Sequence, residues 1–323
     1  MEAVFSSSED RIRANLASVR AAGTPLVARE HGAWGSFFQT GRFWAKTAAR
    51  TAAESLFATL FPSDCRLCGQ PLLNISRLPV CLACIARIQP IRGKVCSTCG
   101  ERVLSSYANQ DPSGRRTCPV CRRVKRPFTR AIAYGSYDGE LRELIHLLKY
   151  GCVRPAAEVL GRTLGGTIAS LEPLFQQRTV LVIPVPLHKR KRRQRGFNQA
   201  ELIARAALKA RRSDRLELAT GLLLRIRETE SQIGLTSHQR RANLRGAFAL
   251  PRTGEVTGRE VLLVDDVYTT GATMTECAQV VRRAGAGRVW VATVARTLKL
   301  ASKLVEIESE EVEENSLAQA AAS

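Results

Sequence analysis

Residues 261–273 read VLLVDDVYTTGAT, and this stretch decides the fold. Val261, Leu262, Leu263 and Val264 form a short apolar run of the kind that makes a buried strand. Two adjacent carboxylates, Asp265 and Asp266, stand at its C-terminal end. Neighbouring strand residues point to opposite faces, so one acid can meet a ligand while the other anchors the loop or reaches a second ligand group. A small, hydroxyl-rich segment follows, Thr269, Thr270, Gly271, Ala272 and Thr273, and opens a helix. Its backbone N–H groups, its hydroxyls and the helix N-terminus suit a phosphate. Gly271 lets the backbone come close. A phosphate below and carboxylates above fit a phosphorylated sugar, whose hydroxyls donate to the acids.

Outward from this stretch, residues 131–137, 180–183 and 288–295 read as further strands. Residues 140–150, 155–171, 198–212 and 273–284 read as helices. Strands alternating with helices predict an α/β domain with a mostly parallel sheet flanked by helices. Residues 183–199, IPVPLHKRKRRQRGFNQ, begin at a strand end and contain six Lys or Arg in the seven positions 189–195. Beside a phosphate loop, Pro186, Leu187, His188, Lys189 and Arg190 suit pyrophosphate. Lys191, Arg192, Arg193 and Arg195 extend the run and suit the phosphates of a nucleic acid. Neither G-x-x-x-x-G-K-[ST] nor G-x-G-x-x-G occurs, which argues against a nucleotide-triphosphatase.

Eight of the ten cysteines fall in four Cys-x-x-Cys pairs: Cys65/Cys68, Cys81/Cys84, Cys96/Cys99 and Cys118/Cys121. Two residues between thiolates let one turn aim both sulfurs at a tetrahedral ion, and four thiolates complete a structural zinc site. Two zinc sites use all eight. Gly69 and Gly100 follow the first and third pairs, which suits the left-handed turn of a knuckle. That points to pairs one and two on one metal and pairs three and four on another. A cross-braced pairing is the alternative, and an iron–sulfur cluster is the competing use of four thiolates. Cys152 and Cys277 stand alone and are expected to be buried thiols.

The chain has 323 residues, 49 Lys+Arg and 29 Asp+Glu, a formal charge of +20. That length suits about two domains, and so basic a balance points to an anionic partner. No 18-residue apolar window predicts a membrane span. The first ten residues carry three acids and no base, unlike a secretory leader, so a cytoplasmic location with reduced thiols is expected. The expected layout is a flexible extension over 1–60 with a helix near 43–61, a double four-cysteine zinc module over 61–128, the α/β domain over 129–300, and an acidic disordered tail over 301–323.

The 261–273 stretch resembles the phosphoribosyl-pyrophosphate (PRPP) signature of type I phosphoribosyltransferases. With the four cysteine pairs, the Leu148-Lys149-Tyr150 triplet, the 183–199 stretch and residues 227–248 (RETESQIGLTSHQRRANLRGAF), the order of motifs from Cys65 to Arg296 resembles the ComF family. The resemblance implies a type I phosphoribosyltransferase sheet behind a zinc module, and PRPP bound with magnesium. Asp265 and Asp266, placed as the catalytic pair, would take the ribose hydroxyls, and residues 269–273 the 5′-phosphate. It further implies a link to DNA uptake in natural competence, with single-stranded DNA and the competence machinery as partners. Lys149 matches a position near the active site; Gln232 and the stretch 240–243 match a loop that covers the ligand. A glycosyl-transferring enzyme and a non-catalytic nucleic-acid-binding protein that keeps the fold are both compatible with these motifs.

Overall fold

The computed structural model describes residues 63–72, 76–103, 114–229 and 237–298. The expected extension, its helix, the acidic tail and Gln232 lie outside these residues. Along the described chain the strands are β1 (Arg130–Ser136), β2 (Val180–Pro184), β3 (Leu216–Leu218), β4 (Leu224–Arg225), β5 (Phe248–Ala249), β6 (Glu260–Tyr268) and β7 (Arg288–Arg296). The helices are α1 (Leu82–Ala86), α2 (Pro119–Arg123), α3 (Gly139–Lys149), α4 (Ala156–Ala169), α5 (Lys189–Arg195), α6 (Gln199–Ala210), α7 (Ser237–Leu244) and α8 (Ala272–Arg283).

One sheet has the order β1-β7-β6-β2-β3, and every pairing in it is parallel. Such sheets are covered on both faces, so their strands read as apolar runs rather than alternations. All five residues of β2 are buried, as are the first five of β6. Alternate β6 residues serve different cores. Leu262 and Val264 pack with Leu144, Leu160 and Ile203; Val261 and Leu263 pack with Leu244, Met274 and Cys277. Helix α3 buries Leu141, Leu144, Ile145 and Leu148, the i, i+3, i+4, i+7 stripe of an amphipathic helix. Asn198 caps α6 by accepting the Ala200 N–H at 3.2 Å. Helices α4 and α6 cross so closely that a Cβ at Gly161 would meet Ala207 N at 2.8 Å.

The connections set the site. From β2 the chain moves outward to β3, and from β6 it moves the other way to β7. Adjacent β2 and β6 therefore flank the point where the strand order reverses, and open α/β sheets bind ligands beyond the C-terminal strand ends there. Strand β6 is longer than its apolar run suggests. It continues through both acids to Tyr268, because β7 pairs with it as far as Tyr268↔Arg296. On the other side β2 pairs only to Pro184↔Val264. The prolines at 184 and 186 end that ladder, and the backbone beyond Val264 opens onto a crevice.

The cysteine region forms two knuckles. Gly69 (φ 73°) and Gly100 (φ 72°) take the left-handed turn. Their N–H groups donate to the carbonyls of Cys65 at 2.8 Å and Cys96 at 2.9 Å. The knuckles close the outer edge of β1: Ala131 N–H donates to Thr98 O and Ile91 N–H to Tyr134 O, both at 2.7 Å. An edge covered in this way cannot recruit another strand.

Candidate functional site

At the carboxyl ends of β2 and β6 lies a cleft of about 210 Å³, lined by Lys149, Pro186, Leu187, Asp265, Asp266, Thr269 and Thr273 among the expected residues. Asp266 is 4% exposed. Its Oδ1 lies 2.6 Å from Lys149 Nζ, while its Oδ2 is buried with no hydrogen-bond partner. Asp265 faces the other way, as adjacent strand residues must; its Oδ1 accepts the Asp266 N–H at 2.9 Å. Burial, then the neighbouring Asp266 charge, push the Asp265 carboxyl up to about 8 against the opposing pull of Lys149 and Arg225. Burial works against the Lys149 ammonium, but Asp266 and Asp265 more than offset it and its pKa rises.

The loop after β6 turns through Gly271 at φ 76°, a conformation that favours glycine. A Cβ there would also collide with the Tyr268 hydroxyl. Thr270 Oγ1 is buried and unpartnered, and α8 begins at Ala272. Thr270, Gly271 and Ala272 do not line the cleft, but a buried hydroxyl, a helix start and a glycine that brings backbone close are the parts of an anion cradle.

The basic run divides. Residues 189–195 form α5, closed by Gly196 at φ 74°. His188, Lys189 and Arg190 do not line the cleft; His188 Nδ1 is buried without a partner, and Arg190 lies 3.3 Å from Glu228 on the surface. Lys191 is half-buried, and burial, then Arg225 and Arg195, lower its pKa. Arg192 and Arg193 are exposed. The Arg195 guanidinium sits 5.3 Å over the Tyr150 ring.

Five further cleft residues are not among the expected ones: Tyr137, Val185, Gln199, Arg225 and Val267. Tyr137 follows β1, so asking what stands at the C-terminal end of every parallel strand would have found it. Arg225 sits on the two-residue strand β4, which carries no periodic signal. Cys277 is buried as expected, but Cys152 is exposed. It stands at φ 52° in the turn after α3, where nothing packs over the thiol.

The sulfurs fall into two groups, Cys65, Cys68, Cys81 and Cys84, and Cys96, Cys99, Cys118 and Cys121, each with all four Sγ within 4.8 Å of one another. This is the sequential pairing; the cross-braced one does not occur. Sγ–Sγ distances of 3.9 Å (Cys65–Cys84) and 3.7 Å (Cys68–Cys81, Cys99–Cys118) match the edge of about 3.8 Å for a tetrahedron with Zn–S bonds near 2.3 Å. Desolvation raises the Cys65 thiol, but backbone N–H groups outweigh it and lower it to about 6, while burial and the neighbouring sulfurs push Cys84 up to about 12. The residues fit two closed structural zinc sites, each with no position left for chemistry. A cavity of about 850 Å³ lies between the first knuckle and helices α4 and α6. It holds neither the acid pair nor the phosphate loop.

Residues 209–315 match the family described as phosphoribosyl transferase domain, and residues 56–122 the double zinc ribbon domain. The DNA utilization protein YhgH of Escherichia coli O157:H7 is 33% identical over 243 residues, covering 73% of this chain and 98% of that protein. The chain belongs to the ComF family. Competence protein F of Haemophilus influenzae is 30% identical over 226 residues, covering 69% of this chain and 93% of that one. Competence protein ComFC of Bacillus subtilis is 24% identical over 198 residues, covering 60% and 74%. Among the described residues no helix is long and apolar enough to cross a membrane. This ComF chain thus joins a phosphoribosyltransferase-type sheet to two four-cysteine zinc ribbons.

Proposed function

We propose that the switch-point cleft binds PRPP together with magnesium. The observation that carries the reading is a pair of orphaned polar atoms on the β6–α8 stretch. Asp266 Oδ2 and Thr270 Oγ1 are buried and without partners, although buried polar groups are nearly always satisfied. A ribose hydroxyl would donate to the first, and a 5′-phosphate oxygen would accept from the second. Lys149 Nζ, 2.6 Å from Asp266 Oδ1, fixes the direction of that side chain. Pro186 and Leu187, which line the cleft, would face the departing pyrophosphate. Phosphoribosyl transfer needs no protein nucleophile. The chain has only to hold the 5′-phosphate, orient the ribose and favour departing pyrophosphate. Magnesium, when bound with PRPP, would neutralise charge on that leaving group.

A second role rests on α5. Arg192 and Arg193 point to solvent, and the relatives are named for DNA utilization and competence. A single-stranded nucleic acid laid along α5 would reach the mouth of the cleft, so sugar-phosphate binding and DNA handling share one surface. The test is thermal melting with PRPP and magnesium, against ribose 5-phosphate and against pyrophosphate, for the native chain and Thr270→Val. PRPP should raise the melting temperature most, and the variant should lose most of that rise. An equal rise in the variant, or none in the native chain, contradicts the assignment.

A further inference from the structure

Strand β7 ends on Arg296, a charged residue only 3% exposed. Its side chain fills the space between the second knuckle and the strand that feeds the phosphate loop. Nη2 lies 2.7 Å from Glu101 Oε2, and Nη1 donates to the carbonyl of Cys99. Its Cζ stands 4.8 Å over the ring of Tyr268. Tyr268, 3% exposed, is the residue before the loop, and its hydroxyl fills the space a side chain at Gly271 would need. A second arginine makes a parallel tie. Arg126 Nη1 donates to Thr275 Oγ1 at 3.2 Å, in the first turn of α8, and its guanidinium lies within electrostatic range of the Cys121 and Cys99 sulfurs. One tie thus grips the loop just before it begins, and the other just after it ends. Among the described residues the first knuckle shows no such connection. Its Arg87 bonds Cys84 Sγ at 3.1 Å and Glu140 at 2.8 Å, at the start of α3.

We infer that Arg296 and Arg126 are positioning residues, through which the closed cluster of Cys96, Cys99, Cys118 and Cys121 holds the phosphate loop in its binding conformation, while the first cluster leaves that loop alone. The inference rests on the PRPP reading of the loop. A guanidinium is a rigid planar fork, and in a close-packed interior a fork anchored at one end fixes what it touches at the other. Opening the second cluster frees Cys99 O and Glu101, and with them the support of the Tyr268 ring. The coupling is reciprocal: PRPP must tighten metal at the second cluster by the factor that the closed cluster tightens PRPP, and leave the first unaffected.

The test uses the full zinc-loaded chain with Glu101→Gln and Arg296→Lys, and with Arg87→Ala as the first-knuckle control. The first readout, hydrogen exchange of residues 268–276, needs no ligand. Both second-knuckle variants should keep two zinc ions and exchange roughly tenfold faster in that segment, within the 5–150-fold span typical of coupled sites; Arg87→Ala should match the native chain. Unchanged exchange in both variants, or equal acceleration in the control, overturns the inference. If Glu101→Gln does not fold, Arg296→Lys, which keeps the charge and loses the fork, carries the decision. The second readout is PRPP titration. Native binding weakened in the two variants supports the inference, and native binding equal in all chains overturns it alone. Accelerated exchange in a native chain that binds no PRPP keeps the tie and removes the PRPP reading.

Discussion

Replacing Asp266 with Asn strands the ammonium of Lys149. The two side chains are 6% and 15% exposed, with N and O 2.6 Å apart. At that separation and an effective dielectric near 20 their attraction is roughly 6 kcal/mol before desolvation is subtracted. Breaking one partner of a buried pair typically costs about 3–5 kcal/mol, because the survivor stays charged in a poor solvent. Asp266→Asn alone should therefore lower unfolding stability by about 3 kcal/mol. Lys149→Met should do the same, leaving a lone carboxylate next to Asp265. The double variant removes both charges and should cost no more than either single change, about 3 kcal/mol, giving a coupling of about 3 kcal/mol. Urea unfolding of the four zinc-loaded chains without ligand measures this, provided the m-values agree. Additive single effects, within about 0.5 kcal/mol, would refute the pair as an energetic unit.

Three other outcomes follow from the same geometry. The Asp265 carboxyl, raised to about 8 against 3.8 when unfolded, binds a proton in the folded chain that the unfolded chain has already released. Its contribution is therefore intact below the unfolded value and is lost as pH rises towards 8; Asp265→Asn should melt higher than the native chain at pH 8.5 and alike near pH 4, and parallel pH profiles would count against it. Gly271→Ala forces a Cβ into a left-handed turn and against Tyr268, so it should cost at least about 1 kcal/mol and abolish PRPP binding, and a variant that binds normally would show the loop is not the cradle. Metal analysis should find two zinc ions per chain, and stripping them with a chelator should unfold the knuckles; a circular dichroism spectrum and melting curve unchanged after stripping would deny them a structural role.

What the sequence made legible was what burial and chemistry repeat. The apolar runs in β2 and β6 are covered on both faces and stand out in a basic chain. Eight thiols spaced in pairs read as metal ligands. The acid pair and the TTGAT loop carry their chemistry in adjacent residues, so no tertiary knowledge was needed to find them. The rest needs the third dimension. Leu216, Glu217 and Leu218 form an edge strand because β2 offers its ladder, and three residues cannot announce that. The two-residue strands β4 and β5 are held by each other, and Arg225 enters the cleft from one of them. Strand β6 outruns its apolar run because β7 is equally long. Arg296 and Glu101 lie 195 positions apart, and each alone reads as a surface charge.

Calorimetric titration with PRPP and magnesium, set beside an Asp265→Ala/Asp266→Ala chain with full zinc content, tests the central claim most directly. Saturable heat with one site per chain, lost in the double variant, is the result the cleft predicts. A folded, zinc-loaded native chain that gives no binding heat and no competition with ribose 5-phosphate would contradict it, and leave the nucleic-acid role of α5 as the reading of this surface.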